Sequence, residues 1–405
     1  MAMKCALLGE RLSHSYSKEI HSHLSGYSYE LIEVSSKDAE KIIKSGEFSG
    51  LNVTIPYKEL AYSLCDELSD AAREIGAVNT IVYRDGKICG HNTDAAGLIA
   101  MINRAEISVS GKRVLVLGSG GTSKTAQYAA KKLGARDVTV VSRSGVVNYE
   151  NVYERCSDAE IIINTTPVGM YPKTGIAPVD ISRFEKLSGV VDVIYNPKRT
   201  KLLLDAEALG IKNTGGLYML AAQGFFAAEL FFGEKLSSSL LDRAAKKVAR
   251  GMENIVLIGM PGSGKSSVGR LVAERLGRKF VDTDEVIRER FGVPGDIITE
   301  KGESFFRALE TDVLREFGKG SAYVLSTGGG VVEREENYNL LHQNGKIYLL
   351  ERELSRLATD SRPLSRDVFA LYQRRCEKYL RFADEKISNN SHAEDAAQAI
   401  AKAFE

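Results

Sequence analysis

Cysteine is scarce in this chain, neither sign of charge is in excess, and no apolar run is long enough to cross a bilayer. The five cysteines, Cys5, Cys65, Cys89, Cys156 and Cys376, are odd in number, scattered and free of any CxxC pair. That argues against a disulfide framework or a zinc site and suits a reducing cytosol. The formal net charge is +1, from 54 basic and 53 acidic residues, and no basic stripe stands out. A nucleic-acid or anionic-membrane partner therefore has no electrostatic support. The most apolar stretch, Leu217 to Phe232, falls short of the ~20 residues of a membrane span and contains Gln223 and Glu229, so it predicts a buried helix. The short apolar run ending at Gly9 has no cleavage-site pattern and reads as a first strand, not a signal peptide. What remains is the composition of a soluble globular protein, 43% hydrophobic and 26% charged. Its 405 residues suggest two or three domains at roughly 150 residues each.

Residues 111 to about 200 repeat a strand–helix rhythm through RVLVLG, DVTVVS, EIIINT and GVVDVIY, which implies parallel strands with crossover helices. Gly118-Ser-Gly-Gly-Thr-Ser123 follows the strand Arg113–Leu117 and precedes a helix expected near Lys124. Glycines there let backbone approach a pyrophosphate at a helix start. Ser123 stands in the last Gly/Ala position of the dinucleotide fingerprint, and a plain strand–helix turn is the alternative. The next strand ends in Ser142, Arg143 and Ser144, about 20 residues on, where an arginine suits a ribose 2′-phosphate and an acid would suit a 2′-hydroxyl. Arg143 therefore favours NADP over NAD, unless it is only a solvated loop arginine.

A second phosphate-gripping loop comes much later. Gly259-Met-Pro-Gly-Ser-Gly-Lys-Ser266 satisfies GxxxxGK[ST] between the strand NIVLI and the helical stretch SVGRLVAERL. The loop N–H groups of Gly262, Ser263, Gly264, Lys265, Ser266 and Ser267 would cradle ATP phosphates, with Lys265 on the β and γ groups and Ser266 on Mg²⁺. A dinucleotide enzyme has no need of this loop, so it opens a second enzyme. Asp282 and Asp284, read as i and i+2 of an extended chain, would point the same way, one toward metal and one toward a substrate hydroxyl. The alternative is that Asp284 caps the following helix. Arg307 and Glu310 share a helix face, as ligand groups or as a structural ion pair. The run Gly328, Gly329, Gly330 permits close approach of backbone to a ligand. Arg362 and Arg375 suit a carboxylate or a transferring phosphoryl group.

The first hundred residues carry LSHSYS, NVTIPYK, GAVNT and NTDAAG, each a cluster of hydroxyls, amides or one charge near an expected strand end. A polyhydroxylated substrate would need such donors and acceptors. Lys58 and Asp94 form the chemical pair, since a lysine beside a carboxylate can exchange a proton with a carbinol oxygen. The structural alternatives are a surface lysine at a helix start and an aspartate N-cap. Ala77 to Gly90 reads as a hairpin turning at Asp85-Gly86.

These strings, together with GSGGTS, INTTPVGM, DVIYNPKRT and GLYMLAAQG, resemble shikimate dehydrogenase in order and spacing from residue 1 to about 235. The resemblance implies that Ser15, Ser17, Asn52, Thr54, Asn79, Asp94, Tyr195 and Gln223 hold shikimate, with Lys58 and Asp94 as the catalytic pair. It places NADP over Gly118, Ser119, Gly120, Gly121, Thr122, Ser123, Ser142, Arg143, Ser144, Thr165, Gly216 and Met219. It also implies that the apolar helix around Gln223 returns to pack on the first segment. Gly9-Glu-Arg replaces the family's usual GxP, and Ser15-Tyr-Ser-Lys18 its SxSP; both serines remain, which favours shikimate over quinate. From about Glu253 onward the chain resembles shikimate kinase. That implies Asp284, Arg307, Gly328, Gly329, Gly330 and Arg375 on shikimate, Asp282 with Ser266 near Mg²⁺, and Arg362 on ATP in a lid shorter than the family's usual one.

The expected fold is α/β throughout. A substrate lobe at 1–104 and a Rossmann-type NADP lobe at 105–235 would be followed by a linker at 236–252, inside a charged helical stretch. A P-loop domain of nucleotide-monophosphate-kinase type would occupy 253–405. The expected protein is cytoplasmic, takes the small molecules 3-dehydroshikimate and shikimate, uses NADP(H), ATP and Mg²⁺, and has no nucleic-acid or membrane partner. Its state is open between monomer and homo-oligomer. The rival reading is a quinate/shikimate dehydrogenase fused to a nucleotide-binding regulatory module without turnover.

Overall fold

The computed structural model describes residues 3–13, 15–24, 26–357 and 367–404. The chain divides into two compact units. One comprises Met1–Met170, Ile176–Tyr195 and Leu202–Ala249; the other comprises Tyr171–Gly175, Asn196–Lys201 and Arg250–Glu405. The expected linker is mostly a helix, Ser238–Met252, and the division falls within its last turn.

The first unit opens with strands β1 (Lys4–Gly9), β2 (Ser28–Glu33), β3 (Gly50–Val53), β4 (Glu67–Leu68), β5 (Thr80–Arg84) and β6 (Lys87–His91). They form one sheet in the order β2-β1-β3-β5-β6-β4. The β5–β6 hairpin turns at Asp85 (φ 51) and Gly86 (φ 75), both in the positive-φ region that a type I′ turn demands. The helix Leu217–Phe232 has the bounds its apolar run predicted, and none among the described residues is long and apolar enough to cross a membrane. It packs back on the first lobe. A Cβ on Gly50 of β3 would lie 2.1 Å from the Phe231 ring, so only bare backbone admits the helix there. Gly97, in the helix Thr93–Arg104, meets the carbonyl of Met219 closely as well, at 2.9 Å from an added Cβ.

The middle of the same unit is a parallel sheet, β7 (Arg113–Leu117), β8 (Asp137–Val141), β9 (Ile161–Asn164), β10 (Gly189–Asp192) and β11 (Lys212–Gly215), in the order β11-β10-β9-β7-β8. Its central strands read as continuous apolar runs because helices cover both faces. The chain leaves β7 toward β8 on one side and enters β9 on the other, so the crevice beyond the ends of β7 and β9 is a topological switch point, where open α/β sheets bind ligands.

The second unit holds β12 (Asn254–Ile258), β13 (Lys279–Asp282), β14 (Tyr323–Ser326), β15 (Gly345–Glu351) and β16 (Glu385–Ser388), all parallel, in the order β13-β14-β12-β15-β16. β12, β14 and β15 are buried, and β12 delivers the phosphate loop from the centre of the sheet.

Candidate active sites

In the first unit the helix Lys58–Leu64 begins at Lys58 itself, as the structural alternative had it, yet the side chain does not stray into solvent. Lys58 Nζ donates to Asp94 Oδ2 at 2.6 Å, and both side chains are largely covered. Asp94 is free for this role because Asn92, not Asp94, caps the helix, accepting from Ala95 N–H. Tyr195 sits edge-on to Tyr16, 6.1 Å between ring centroids, which brings the second half of the unit to the Ser15–Ser17 loop. Ser15 Oγ accepts from the Ser17 N–H, shaping that loop. The backbone of Thr54 is tied to Leu8 and Tyr57. Gln223 turns back on its own helix, donating to the Leu220 carbonyl. Met219 and Gln223 border Gly97, one turn beyond Asp94. Asn52 has both amide hydrogens committed inside the protein, to Thr80 Oγ1 and the Asn79 carbonyl.

At the switch point, Gly118 (φ 105) ends β7, and a Cβ there would lie 2.9 Å from Thr165 Oγ1. Thr165 is held by its hydroxyl on the Leu117 carbonyl at 2.6 Å. The following helix starts at Gly121, three residues earlier than the sequence suggested, with Gly120 as its cap. Ser119, Gly120, Gly121 and Thr122 are exposed at this helix start, where backbone N–H groups and dipole favour an anion. Ser123 is different: it is buried and paired with Gln127, so it packs the helix on the sheet and offers nothing to a ligand. This is the packing role of the last small residue in the fingerprint. Arg143 and Ser144 are exposed beyond β8, and Ser142 turns that loop by donating its N–H to the Val147 carbonyl. Gly216 abuts the Val193 carbonyl, 2.0 Å from an added Cβ.

The second unit contains an open cavity of about 790 Å³. Its lining includes Gly262, Gly264, Lys265, Ser266 and Ser267 of the phosphate loop, and also Asp284, Arg307, Gly328, Gly329, Gly330 and Arg375. Lys265 is buried and its ammonium donates to the carbonyls of Gly259 and Met260 at 2.9 and 3.0 Å. Gly262 (φ 82) and Gly264 (φ 93) carry the left-handed turns that aim the loop N–H groups inward. Ser263 is fully buried behind the loop, where its carbonyl accepts from Asn389. Arg362 and its lid lie outside the described residues.

The two aspartates do not share an extended strand. β13 ends at Asp282, whose Oδ1 accepts from the N–H of Asp284 and Glu285 and so starts the helix Thr283–Phe291. The cap is therefore Asp282, while Asp284 lies in the first helical turn. The other oxygen of Asp282 takes the Ser266 hydroxyl at 2.5 Å. Arg307 makes the ion pair that was its structural alternative: Nη1 to Glu310 and Nη2 to Glu303 at 2.9 Å, with Nε buried and unpartnered. Burial pushes the Glu310 carboxyl up to about 7 against the pull of Arg307.

Arg375 is 2% exposed, bonded through Nε to Glu333 at 2.6 Å and through Nη1 to the Gly329 carbonyl at 3.0 Å. Its Nη2 is buried without a partner. Burial alone would raise the Glu333 carboxyl, but Lys378, Arg375 and Arg374 hold it down to about 2. Such a group stabilises the fold above its unfolded value near 4.5, and that contribution is lost as pH falls toward 2. Glu333→Gln is expected to cost the second unit about 3 kcal/mol near neutral pH, because it leaves a buried guanidinium uncompensated. Melting curves of the two proteins should draw together as pH falls from about 4.5 toward 2. A gap independent of pH would refute the charge assignment.

Sequence reasoning missed Glu333, Asn389 and Arg288. Arg288 lines the cavity one turn after Asp284, an i,i+4 spacing on the same helix face that was readable.

A switch-point glycine loop and a lysine–carboxylate pair within one unit fit a dinucleotide-dependent oxidoreductase, and a phosphate loop sharing a cavity with acceptor groups fits a phosphotransferase. Comparison with known families agrees on both. The model described as shikimate dehydrogenase substrate binding domain matches residues 7–81, and that described as shikimate kinase matches residues 261–405. The chain belongs to the shikimate dehydrogenase family and carries a shikimate kinase domain after it, a bifunctional enzyme of the shikimate pathway. A shikimate dehydrogenase (NADP(+)) of Clostridium perfringens is 36% identical over 258 residues, 58% of this chain and 93% of that protein. The crystal structure of a chorismate mutase/shikimate 5-dehydrogenase fusion protein from Clostridium acetobutylicum is 33% identical with a TM-score of 0.58, over 61% of this chain and 97% of that one. Shikimate 5-dehydrogenase from Thermus thermophilus, solved in complex with NADP(H) and shikimate, is 30% identical with a TM-score of 0.54, over 60% of this chain and 99% of that one.

Proposed function

We propose that the chain performs two consecutive reactions: NADPH-dependent reduction of 3-dehydroshikimate to shikimate, then transfer of the γ-phosphoryl group of ATP to the shikimate 3-hydroxyl. The observation that carries the second step is the shared cavity, in which Lys265, Asp284, Arg307 and Arg375 line one space. A module that only senses nucleotide has no use for that acceptor half.

In the first unit NADPH, when bound, supplies the hydride. The Lys58 ammonium gives its proton to the carbonyl oxygen as the carbon is reduced, and Asp94 holds the ammonium in place at 2.6 Å. Ser15, Ser17, Thr54, Asn79, Tyr195 and Gln223 orient the ring. The switch-point loop fits a pyrophosphate because its residues before Ser123 are exposed at a helix start and Gly118 leaves no Cβ in the crevice. Arg143 is the group for a 2′-phosphate. Arg143→Ala is expected to raise KM for NADP by roughly 10–100-fold, the worth of a hydrogen bond to a charged group, with KM for NAD little changed. Equal losses for both cofactors would remove Arg143 from that role.

In the second unit Asp284 accepts the proton of the attacking hydroxyl, and Arg307 and Arg375 hold the substrate carboxylate. Lys265 and the loop N–H groups neutralise charge on the phosphates. The Ser266 hydroxyl and Asp282, two hard oxygen donors 2.5 Å apart, fit Mg²⁺, which when bound would neutralise phosphate charge. All five cysteines are free, as suits a reducing cytosol.

The test is a one-pot assay with 3-dehydroshikimate, NADPH, ATP and Mg²⁺, following NADPH loss optically and shikimate 3-phosphate by mass. Both should appear. NADPH loss with shikimate accumulating would refute the kinase half.

A further inference from the structure

Behind Asn79 runs a line of buried polar groups, Tyr29, Asn52 and Thr80, that the mechanism above does not use. His21 is 1% exposed and lies flat on Tyr29, 3.8 Å between ring centroids at 10°. Its Nδ1 is paired with the Tyr27 hydroxyl, its Nε2 is buried without a partner, and burial drives the imidazole down to about 3, so it is neutral. The stack fixes the Tyr29 ring, and the Tyr29 hydroxyl donates to Asn52 Oδ1 at 2.7 Å. Asn52 Nδ2 donates to Thr80 Oγ1 at 3.0 Å, and the Thr80 hydroxyl donates to Asn79 Oδ1 at 3.1 Å.

The direction of this line is set at two points by groups that have no choice. The backbone N–H of Thr93 lies 2.7 Å from the Asn79 side chain, so the atom it meets must be the oxygen. The Asn79 carbonyl lies 3.3 Å from the Asn52 side chain, so the atom facing it must be the nitrogen. With both amides oriented, the line runs one way from Tyr29 through Asn52 to the Thr80 hydroxyl, and from there to Asn79 Oδ1 either directly or through the Thr93 hydroxyl, each 3.1 Å from Thr80. The Asn79 Oδ1 is saturated by Thr93 and Thr80, while its Nδ2 makes no bond to the protein among the described residues. The backbone around Asn79 is tied to both members of the catalytic pair. Val78, before Asn79, donates its N–H to the Lys58 carbonyl, and Thr93 immediately precedes Asp94.

We infer that Tyr29 is a positioning residue for the dehydrogenase site, heading a one-way relay through Asn52 and Thr80 that ends on the oxygen of the Asn79 amide, which the Thr93 N–H orients as a donor and never an acceptor toward the substrate. The group of the substrate that meets Asn79 must then offer an oxygen lone pair. Asn52 is spent inside the relay and touches no substrate. Hydrogen bonds in such a chain polarise one another, so the terminal donor is stronger for having Tyr29 behind it. The inference rests on the reading of the first unit as a shikimate dehydrogenase.

The experiment is a double-substitution cycle on the full chain, read as shikimate-dependent NADP reduction, which the kinase does not report. Wild-type turnover is measured first; its absence would fail the functional reading itself, apart from the relay. Tyr29→Phe removes only the phenol oxygen and is expected to raise KM for shikimate about tenfold, the cost of one unmatched buried acceptor. The expected kcat stays within about twofold and KM for NADP is unchanged. In an Asn79→Ala background the same change should cost less than about twofold, because residues acting in one line are not additive. Thr80→Val, which cuts the relay further along, should abolish the Tyr29→Phe effect in the same way. Melting temperature and kinase rate in each preparation report folding. The inference is overturned if Tyr29→Phe keeps its full effect when Asn79 is gone, if it raises KM for NADP equally, or if it has no effect at all.

Discussion

Lys58→Ala is expected to lower shikimate-dependent NADP reduction by about 10²–10⁴-fold, the range lost when a positioned proton donor is removed, while the kinase rate stays within about twofold. The loss should fall on kcat, since the side chain acts on the oxygen whose charge changes during hydride transfer. Lys58 is 29% exposed and Asp94 19%, so the substitution removes one partner of a largely covered pair that still reaches solvent, and does not open the core. The unit should therefore remain folded, with an unchanged melting transition. Lys58→Arg should not rescue, because an always-charged guanidinium gives up no proton. A residual rate within tenfold of wild type would mean that the proton comes from elsewhere.

Lys265→Ala is expected to do the reverse. Phosphoryl transfer depends on positioning and on neutralising charge, and removal of one such group costs about 10²–10³-fold. The Lys265 ammonium is buried against two carbonyls of its own loop, so the change removes the cation at the centre of the phosphate cradle. ATP binding, measured calorimetrically on the same variant, should weaken together with the rate. Reduction by the first unit should be unaffected, since no residue placed in either mechanism belongs to both units. Loss of both activities from either substitution would sink the independent-unit reading.

Much of the architecture was legible because it depends on neighbours in sequence. The apolar run Leu217–Phe232 marks its own helix, Asp85-Gly86 marks its own turn, and the phosphate loop needs only a strand before it and a helix after it. The Asp282–Asp284 geometry was misread for a local reason. A strand that ends on an N-cap passes into a helix within one residue, and period-2 reasoning does not survive that junction. The rest depends on distant partners. Glu333 meets Arg375 across 42 residues, and Asn389 reaches the Ser263 carbonyl across 126. Tyr29 and Asn52 lie 23 residues apart on strands that are not hydrogen-bonded to each other, separated in the sheet by β1. Their pairing exists only once the sheet order is known, and no spacing along the chain announces it.

Both units lie on one polypeptide, and this fixes a quantity that separate enzymes must regulate. Every ribosome that finishes the chain releases one dehydrogenase unit and one kinase unit, so this chain supplies the two in a one-to-one ratio at every level of its expression. Transcription can raise or lower the pathway's capacity but cannot shift its balance. If the two proposed reactions run in sequence, whether the intermediate pools or is consumed as it forms is then set by the turnover numbers and saturation constants of the two units and by the supply of reductant and ATP, not by their relative amounts.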